Sequence, residues 1–86
     1  MMDIDELEQR EQSLWERIEV TEGVVSDLRH AQSLLYSAER RNSSYGLGLD
    51  LPTVTNEQMY EAESHLESLE EQHADVDEEL YHRREA

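Results

Sequence analysis

The chain has 86 residues and no cysteine, which limits it to one small domain without disulfides or a cysteine-ligated zinc site. It contains 22 acidic residues against seven basic ones, all arginine, and its formal net charge is −15. A surface this acidic lacks the basic patch that binds phosphate groups, and the composition therefore argues against direct nucleic-acid binding.

The sequence shows no sign of a membrane span or a secretory signal. No apolar run reaches the roughly 18–20 residues that cross a bilayer, and the first residues are acidic. We therefore expect a soluble protein of the cytoplasm or of a virus particle, with no membrane partner. The lack of lysine is typical of GC-rich genomes and of halophilic proteins, and both origins stay open.

The first predicted element is a long helix. Asp3 followed three residues later by Glu6 has the form of a capping box, so the helix should start there. The polar residues and the glycine at 42–46 are typical helix breakers. We predict helix 1 over about residues 3–41.

A loop and a second helix follow. We predict the loop over about residues 42–54 and helix 2 over about 55–84, with Thr55 and Gln58 as its capping pair. Leucines alternate inside the loop, which predicts either a short extended strand or an apolar cap over the end of the hairpin, and we favour the cap. These leucines are Leu47, Leu49 and Leu51.

Both helices carry an apolar seam with a period of 3.5 residues, which is typical of helices that pack along a neighbour. The seam of helix 1 comprises Ile4, Leu7, Leu14, Ile18, Val25, Leu28 and Leu35. The seam of helix 2 comprises Met59, Ala62, Leu66, Leu69, Val76 and Leu80. We predict an all-α fold, an antiparallel coiled-coil-like hairpin of two helices. Because so small a hairpin buries little core, oligomerisation or a partner should complete it.

One antiparallel register places the polar residues of the two seams opposite each other. It pairs Thr21 with His73 and Leu14 with Leu80, and it leaves the first turns of helix 1 without a neighbour. A slip of one heptad instead sets Leu14 against His73 and Thr21 against Leu66. Since an unpartnered buried polar group costs about 1–3 kcal/mol, we predict the Thr21–His73 register.

Helix 1 carries a second apolar stripe beside its seam, formed by Val20, Val24, Ala31, Leu34 and Ala38. The helix is therefore apolar over a width that one neighbour cannot cover. On a protein this acidic, such a stripe indicates a protein interface, which the unpaired first turns of helix 1 would extend. Trp15 either covers the seam or anchors a partner. The predicted interface residues are Ile4, Leu7, Trp15, Val20, Val24, Ala31, Leu34 and Ala38.

No pattern in the chain predicts catalysis or ligand binding. No two of the four histidines lie four residues apart, so we predict no metal site. Carboxylates are plentiful, but acid–base catalysis needs a desolvated pocket, which a two-helix hairpin does not provide. We predict that the protein is not an enzyme and binds no cofactor.

The leading interpretation is a non-catalytic protein–protein interaction or structural assembly subunit, which associates with itself or with a larger partner. The alternative is an acidic inhibitor of the phage type, which mimics nucleic acid and occupies the basic groove of a DNA-handling enzyme. Ordinary solvation of a halophile-like surface also explains the same acidic face. That face comprises Glu63, Glu67, Glu70, Glu71, Asp75, Asp77, Glu78 and Glu79.

Overall fold

A computed structural model describes residues 2–85, which form two α-helices, α1 (Ile4–Tyr45) and α2 (Asn56–Glu85). The helices pack against each other as an antiparallel hairpin that measures 68 × 17 × 16 Å. The predicted all-α hairpin is therefore confirmed. Neither described helix contains a stretch long and apolar enough to cross a membrane.

Side-chain caps begin both helices, as the sequence predicts. The Asp3 carboxylate accepts a hydrogen bond of 2.8 Å from the Glu6 backbone N–H at the start of α1. At the start of α2, Gln58 N–H donates to Thr55 Oγ1 at 3.1 Å, and Thr55 N–H donates to Gln58 Oε1 at 3.0 Å. The reciprocal pair satisfies two backbone donors that the first turn of a helix leaves free.

Helix α1 ends at Tyr45, four residues beyond its predicted end. Gly46 follows with φ 59°, and its N–H donates to the Ser43 carbonyl, while Leu47 N–H donates to the Asn42 carbonyl. This pair of bonds with a left-handed glycine is a Schellman motif. The polar residues before Gly46 therefore continue the helix, because the carbonyls of Asn42 and Ser43 accept hydrogen bonds from the N–H groups of Leu47 and Gly46.

The two helices are offset by about one heptad from the predicted register. His73 Nε2 lies 3.3 Å from Glu11 Oε1, and the His73 ring centroid lies 5.6 Å from a ring centroid of Trp15. These neighbours bracket residue 14 of α1, so His73 lies level with Leu14 and not with Thr21. The predicted Thr21–His73 layer is therefore wrong. The observed register is the one-heptad slip that the cost of unpartnered polar groups disfavours.

The offset buries the N-terminal turns of α1 against the C-terminal turns of α2. Leu7 and Leu80 are each 1% exposed and lie in one apolar cluster, and Arg84 donates to Glu8 at 3.2 Å across the same end. The prediction of an N-terminal overhang with Leu7 in a partner interface is wrong, because α2 extends far enough to cover Leu7. The cluster also contains Leu14, Ile18, Leu69 and Val76, with Leu66 packed against it.

The part of α1 that has no helical neighbour lies instead at the end of the hairpin nearest the loop. Gln32 Nε2 donates to the Val54 carbonyl at 3.1 Å and to Asn56 Oδ1 at 3.4 Å, so α2 begins level with Gln32. Residues 33–45 of α1 therefore extend past the start of α2, by about 20 Å at the helical rise of 1.5 Å per residue. We call this segment, residues 33–45, the overhang.

The loop, residues 46–55, returns along the side of the overhang. The Asn42 side chain donates to the Leu49 carbonyl at 2.8 Å and accepts from the Leu49 N–H at 3.0 Å. An extended chain covers about 16 Å from Leu49 to Val54, which matches the rise of about 15 Å along the helix between Asn42 and Gln32.

The predicted apolar cap over the hairpin end does not form. Leu47 and Leu49 are 59% and 57% exposed, whereas Leu51 is half-buried. The described residues of the loop contain no strand either. The two hydrogen bonds to Asn42 hold Leu49 beside α1, so the chain passes along the helix and does not fold across its end.

Candidate interaction surface

The second stripe of α1 faces solvent beside the seam that α2 occupies. Val20, Leu34 and Val24 are 69%, 58% and 47% exposed, while Ala31 and Ala38 are half-buried. The neighbouring seam positions of α1, such as Ile18 and Val25, are almost fully buried in the chain. Three large apolar side chains of the stripe are thus left in contact with water.

A shallow surface groove runs past the N-terminal end of this stripe. Val20 lines it together with Arg17 and Thr21 of the same helix and His65 of α2. Thr21, which the sequence placed opposite His73, is half-buried here. The groove therefore sets one apolar side chain among charged, hydroxyl and imidazole groups that donate or accept hydrogen bonds.

The remaining predicted interface residues have different environments. Ile4 is 40% exposed in the first turn of α1, and Leu7 is buried, as described above. Trp15 is 48% exposed and lies on the other flank of the seam from Val20, with its ring tilted at 45° against that of His73. Trp15 thus packs on a histidine of its own chain and keeps half of its surface in water.

His73 is accommodated in the seam by a charged neighbour. Its Nε2 lies 3.3 Å from Glu11 Oε1, and the two side chains keep 21% and 35% of their surfaces exposed. A histidine at the edge of a two-helix seam can reach a flanking carboxylate and solvent, so it is not left without a partner. This contact takes the place of the Thr21–His73 layer.

The eight acidic residues predicted as a face are all exposed, but they do not form one face. They fall at each of the five heptad positions of α2 that the seam leaves free, so they surround its whole solvent side. Arg29 donates to Glu63 at 2.9 Å, and Arg83 donates to Glu79 at the same distance. Two of the eight carboxylates are therefore paired with arginines of the same chain.

The charge of the chain is strongly segregated along the hairpin. Residues 31–56, which we call the loop end, contain two acids, Glu39 and Asp50, and two bases, Arg40 and Arg41, whose charges cancel. The whole net charge of −15 therefore resides in the rest of the hairpin, which we call the body. Exposed large apolar side chains of the loop end are Leu34, Tyr36, Tyr45, Leu47 and Leu49.

The sequence already contains this signal, but the overall charge conceals it. Only counting charges segment by segment separates the neutral loop end from the acidic body. The exposure of Tyr45 was missed for a different reason, because the predicted helix ended before it, whereas Tyr45 continues the stripe one heptad beyond Ala38.

Among residues 2–85 no three carboxylate, imidazole or thiol groups come close enough together to hold a metal ion. Comparisons with protein-family models, with curated proteins and with solved structures gave no match for this chain.

Proposed function

We propose that this protein is a non-catalytic interaction or assembly subunit that associates with protein through the second stripe of α1, Val20, Val24, Ala31, Leu34 and Ala38. The observation that carries the proposal is the exposure of its three large members, 69%, 47% and 58% in chain order, beside a seam that is already filled. Fully burying a side chain of this kind gains about 1.5–3 kcal/mol. The stripe therefore offers several kcal/mol for association.

The arrangement of these residues separates them from ordinary exposed apolar side chains. Single apolar residues are common on protein surfaces and need no explanation. Here they recur every three or four residues from Val20 to Ala38, interrupted only by Asp27, and so form one line about 27 Å long on a helix. A line of this length matches the contact between two packed helices.

The thinness of the molecule supports the non-catalytic part of the proposal. Two helices that together measure 17 × 16 Å in cross-section cannot surround a substrate with protein. A general acid or base needs a pocket that excludes water and shifts its pKa. A helical hairpin of this shape is instead suited to present long surfaces to other helices.

The test compares association and dye binding of the wild type with those of a stripe variant. Val20→Ser combined with Leu34→Ser should reduce either self-association, measured by light scattering, or binding of an apolar fluorescent dye to the monomer. The matched control is Tyr60→Ser combined with Tyr81→Ser, two residues of α2 that are 70% and 61% exposed. A folded wild-type monomer that binds no dye would contradict the proposal.

Salt distinguishes this proposal from an acidic nucleic-acid mimic. Apolar association persists as sodium chloride is raised, because the hydrophobic effect is not screened. A complex held by the carboxylates of α2 weakens progressively over the same range. Measuring any captured partner at low and high salt therefore assigns the interface to the stripe or to the acidic surface.

A further inference from the structure

We propose that a second copy of this chain covers the overhang, so that two hairpins join end to end by their loop ends. The two α1 helices would run antiparallel over residues 33–45 and point the two bodies in opposite directions. This inference rests on the proposed function, since Leu34 and Ala38 belong to the stripe. It adds the identity of the partner and the part of the stripe that meets it.

The first argument is that the overhang is a helix without a helical neighbour. α2 begins level with Gln32, and beyond this point only the extended loop lies beside α1, held by Asn42. The flank that carries the stripe stays open, because Leu34 and Tyr45 are 58% and 80% exposed with Ala38 between them. A helical segment about 20 Å long therefore has one face available for another helix.

The second argument concerns charge. Two copies that packed side by side along Val20 and Val24 would bring two bodies of net charge −15 into contact. At the loop end the charges cancel, so contact there carries no net repulsion. Bodies that point in opposite directions along molecules 68 Å long are separated by far more than the screening length of about 8 Å at physiological salt.

The third argument is the symmetry of side-chain size about Ala38. In an antiparallel pair centred on this residue, Ala38 faces its own copy and Tyr45 faces Ala31, since each lies one heptad from the centre. Arg41, which lies on this face between Ala38 and Tyr45, meets the turn that carries Leu34, and its aliphatic stem can cover that leucine. Two alanines at the centre allow the helices to approach closely, and a large side chain meets a small one on either side. A two-fold contact of this kind uses the same surface on both copies.

The charge distribution also argues against other occupants of the overhang. A cationic partner would be attracted to the acidic body and not to the neutral loop end. A different protein with an apolar helix could occupy the overhang, and in that case the purified chain would be monomeric.

Small-angle scattering and sedimentation of the full chain test the inference. Two molecules 68 Å long that overlap by about 20 Å form a dimer with a maximum dimension of roughly 115 Å. A side-by-side dimer would be about 70 Å long, close to the length of one molecule. We expect the longer particle at twice the mass of the chain.

Matched charge variants locate the contact. Ala38→Glu places two long, charged side chains against each other at the centre and should raise the dimer dissociation constant by roughly tenfold or more, since both their size and their desolvation oppose close approach of the helices. Val24→Glu adds the same charge at the same heptad position, two heptads earlier in the body, and should leave the dimer intact. Circular dichroism confirms that both variants stay helical.

A cysteine variant provides a second measurement that does not depend on the charge variants folding. The chain contains no cysteine, so Ala38→Cys introduces a single thiol that should form a disulfide-linked dimer under oxidation, whereas Val24→Cys should not. A compact dimer that Val24→Glu dissociates would overturn the inference and keep the proposed function. A monomer that binds dye at the stripe would likewise overturn the inference and keep the proposed function. A monomer that binds no dye would overturn both the inference and the proposed function.

Discussion

Leu7 and Leu80 lie in one apolar cluster, and each keeps only 1% of its surface exposed. They join the N-terminal turns of α1 to the C-terminal turns of α2. The best-buried layer of the hairpin is therefore at the end farthest from the loop, where the two helices would otherwise fray.

Leu7→Ala should lower the free energy of unfolding by about 2–5 kcal/mol, the usual loss when a buried leucine is truncated. Ile4→Ala is the matched control, because Ile4 lies in the preceding turn and is 40% exposed, so its truncation should cost about 1 kcal/mol or less. Urea denaturation followed by circular dichroism measures both. Equal losses for the two variants would contradict the observed register.

The sequence predicted both helices because their signals are local. Each capping pair and each seam lies within a short stretch of chain, and the structure confirms the hairpin that they imply. The exposed stripe was also predictable, since a single neighbour covers only one flank of a helix. These features depend on the helical period and not on how the two helices meet.

The register was not predictable in this way, because it depends on a balance between distant residues. The penalty for a fully buried polar group disfavours the slip that sets His73 against Leu14. In the structure His73 keeps 21% of its side-chain surface exposed and contacts Glu11, so most of that penalty is avoided. The slip also covers Leu7, and burying one leucine gains about 1.5–3 kcal/mol.

Gly23 inside α1 and Gly46 just after its end should respond to alanine in opposite directions. Gly23 lies inside the helix with nothing within 4 Å of an added Cβ, so Gly23→Ala should raise the free energy of unfolding by about 0.5–1 kcal/mol. Gly46 has φ 59°, where a Cβ is strained, so Gly46→Ala should lower it by about 1 kcal/mol. Thermal unfolding of the two variants beside the wild type measures both signs, and a stabilising Gly46→Ala would contradict the left-handed end of α1.

Asn42 should hold the loop against the overhang. Its side chain makes two hydrogen bonds to the backbone of Leu49, of 2.8 and 3.0 Å, and it is only 7% exposed. Asn42→Ala should lower the free energy of unfolding by about 1 kcal/mol and speed hydrogen exchange at the Leu49 amide roughly tenfold. Ser43→Ala, at the next and exposed position, should change neither quantity. Unchanged exchange at Leu49 would show that the loop is held by something else.

The stability of the hairpin should rise with salt because of repulsion along α2. Carboxylates follow each other four residues apart at five places, and each such pair costs a few tenths of a kcal/mol at low ionic strength. The pairs are Glu57/Glu61, Glu63/Glu67, Glu67/Glu71, Glu71/Asp75 and Asp75/Glu79. Raising sodium chloride screens these repulsions and should raise the melting temperature.

A charge variant separates this screening from the general effect of salt on apolar burial. Glu67→Gln combined with Glu71→Gln removes three of the five repulsions at exposed positions, so it should melt at a higher temperature than the wild type in low salt and depend less on salt. Glu63→Gln is the contrasting control, since it removes one repulsion together with the 2.9 Å ion pair to Arg29 and should leave the melting temperature nearly unchanged. Equal salt slopes for the wild type and the double variant would mean that the repulsion along α2 does not limit stability.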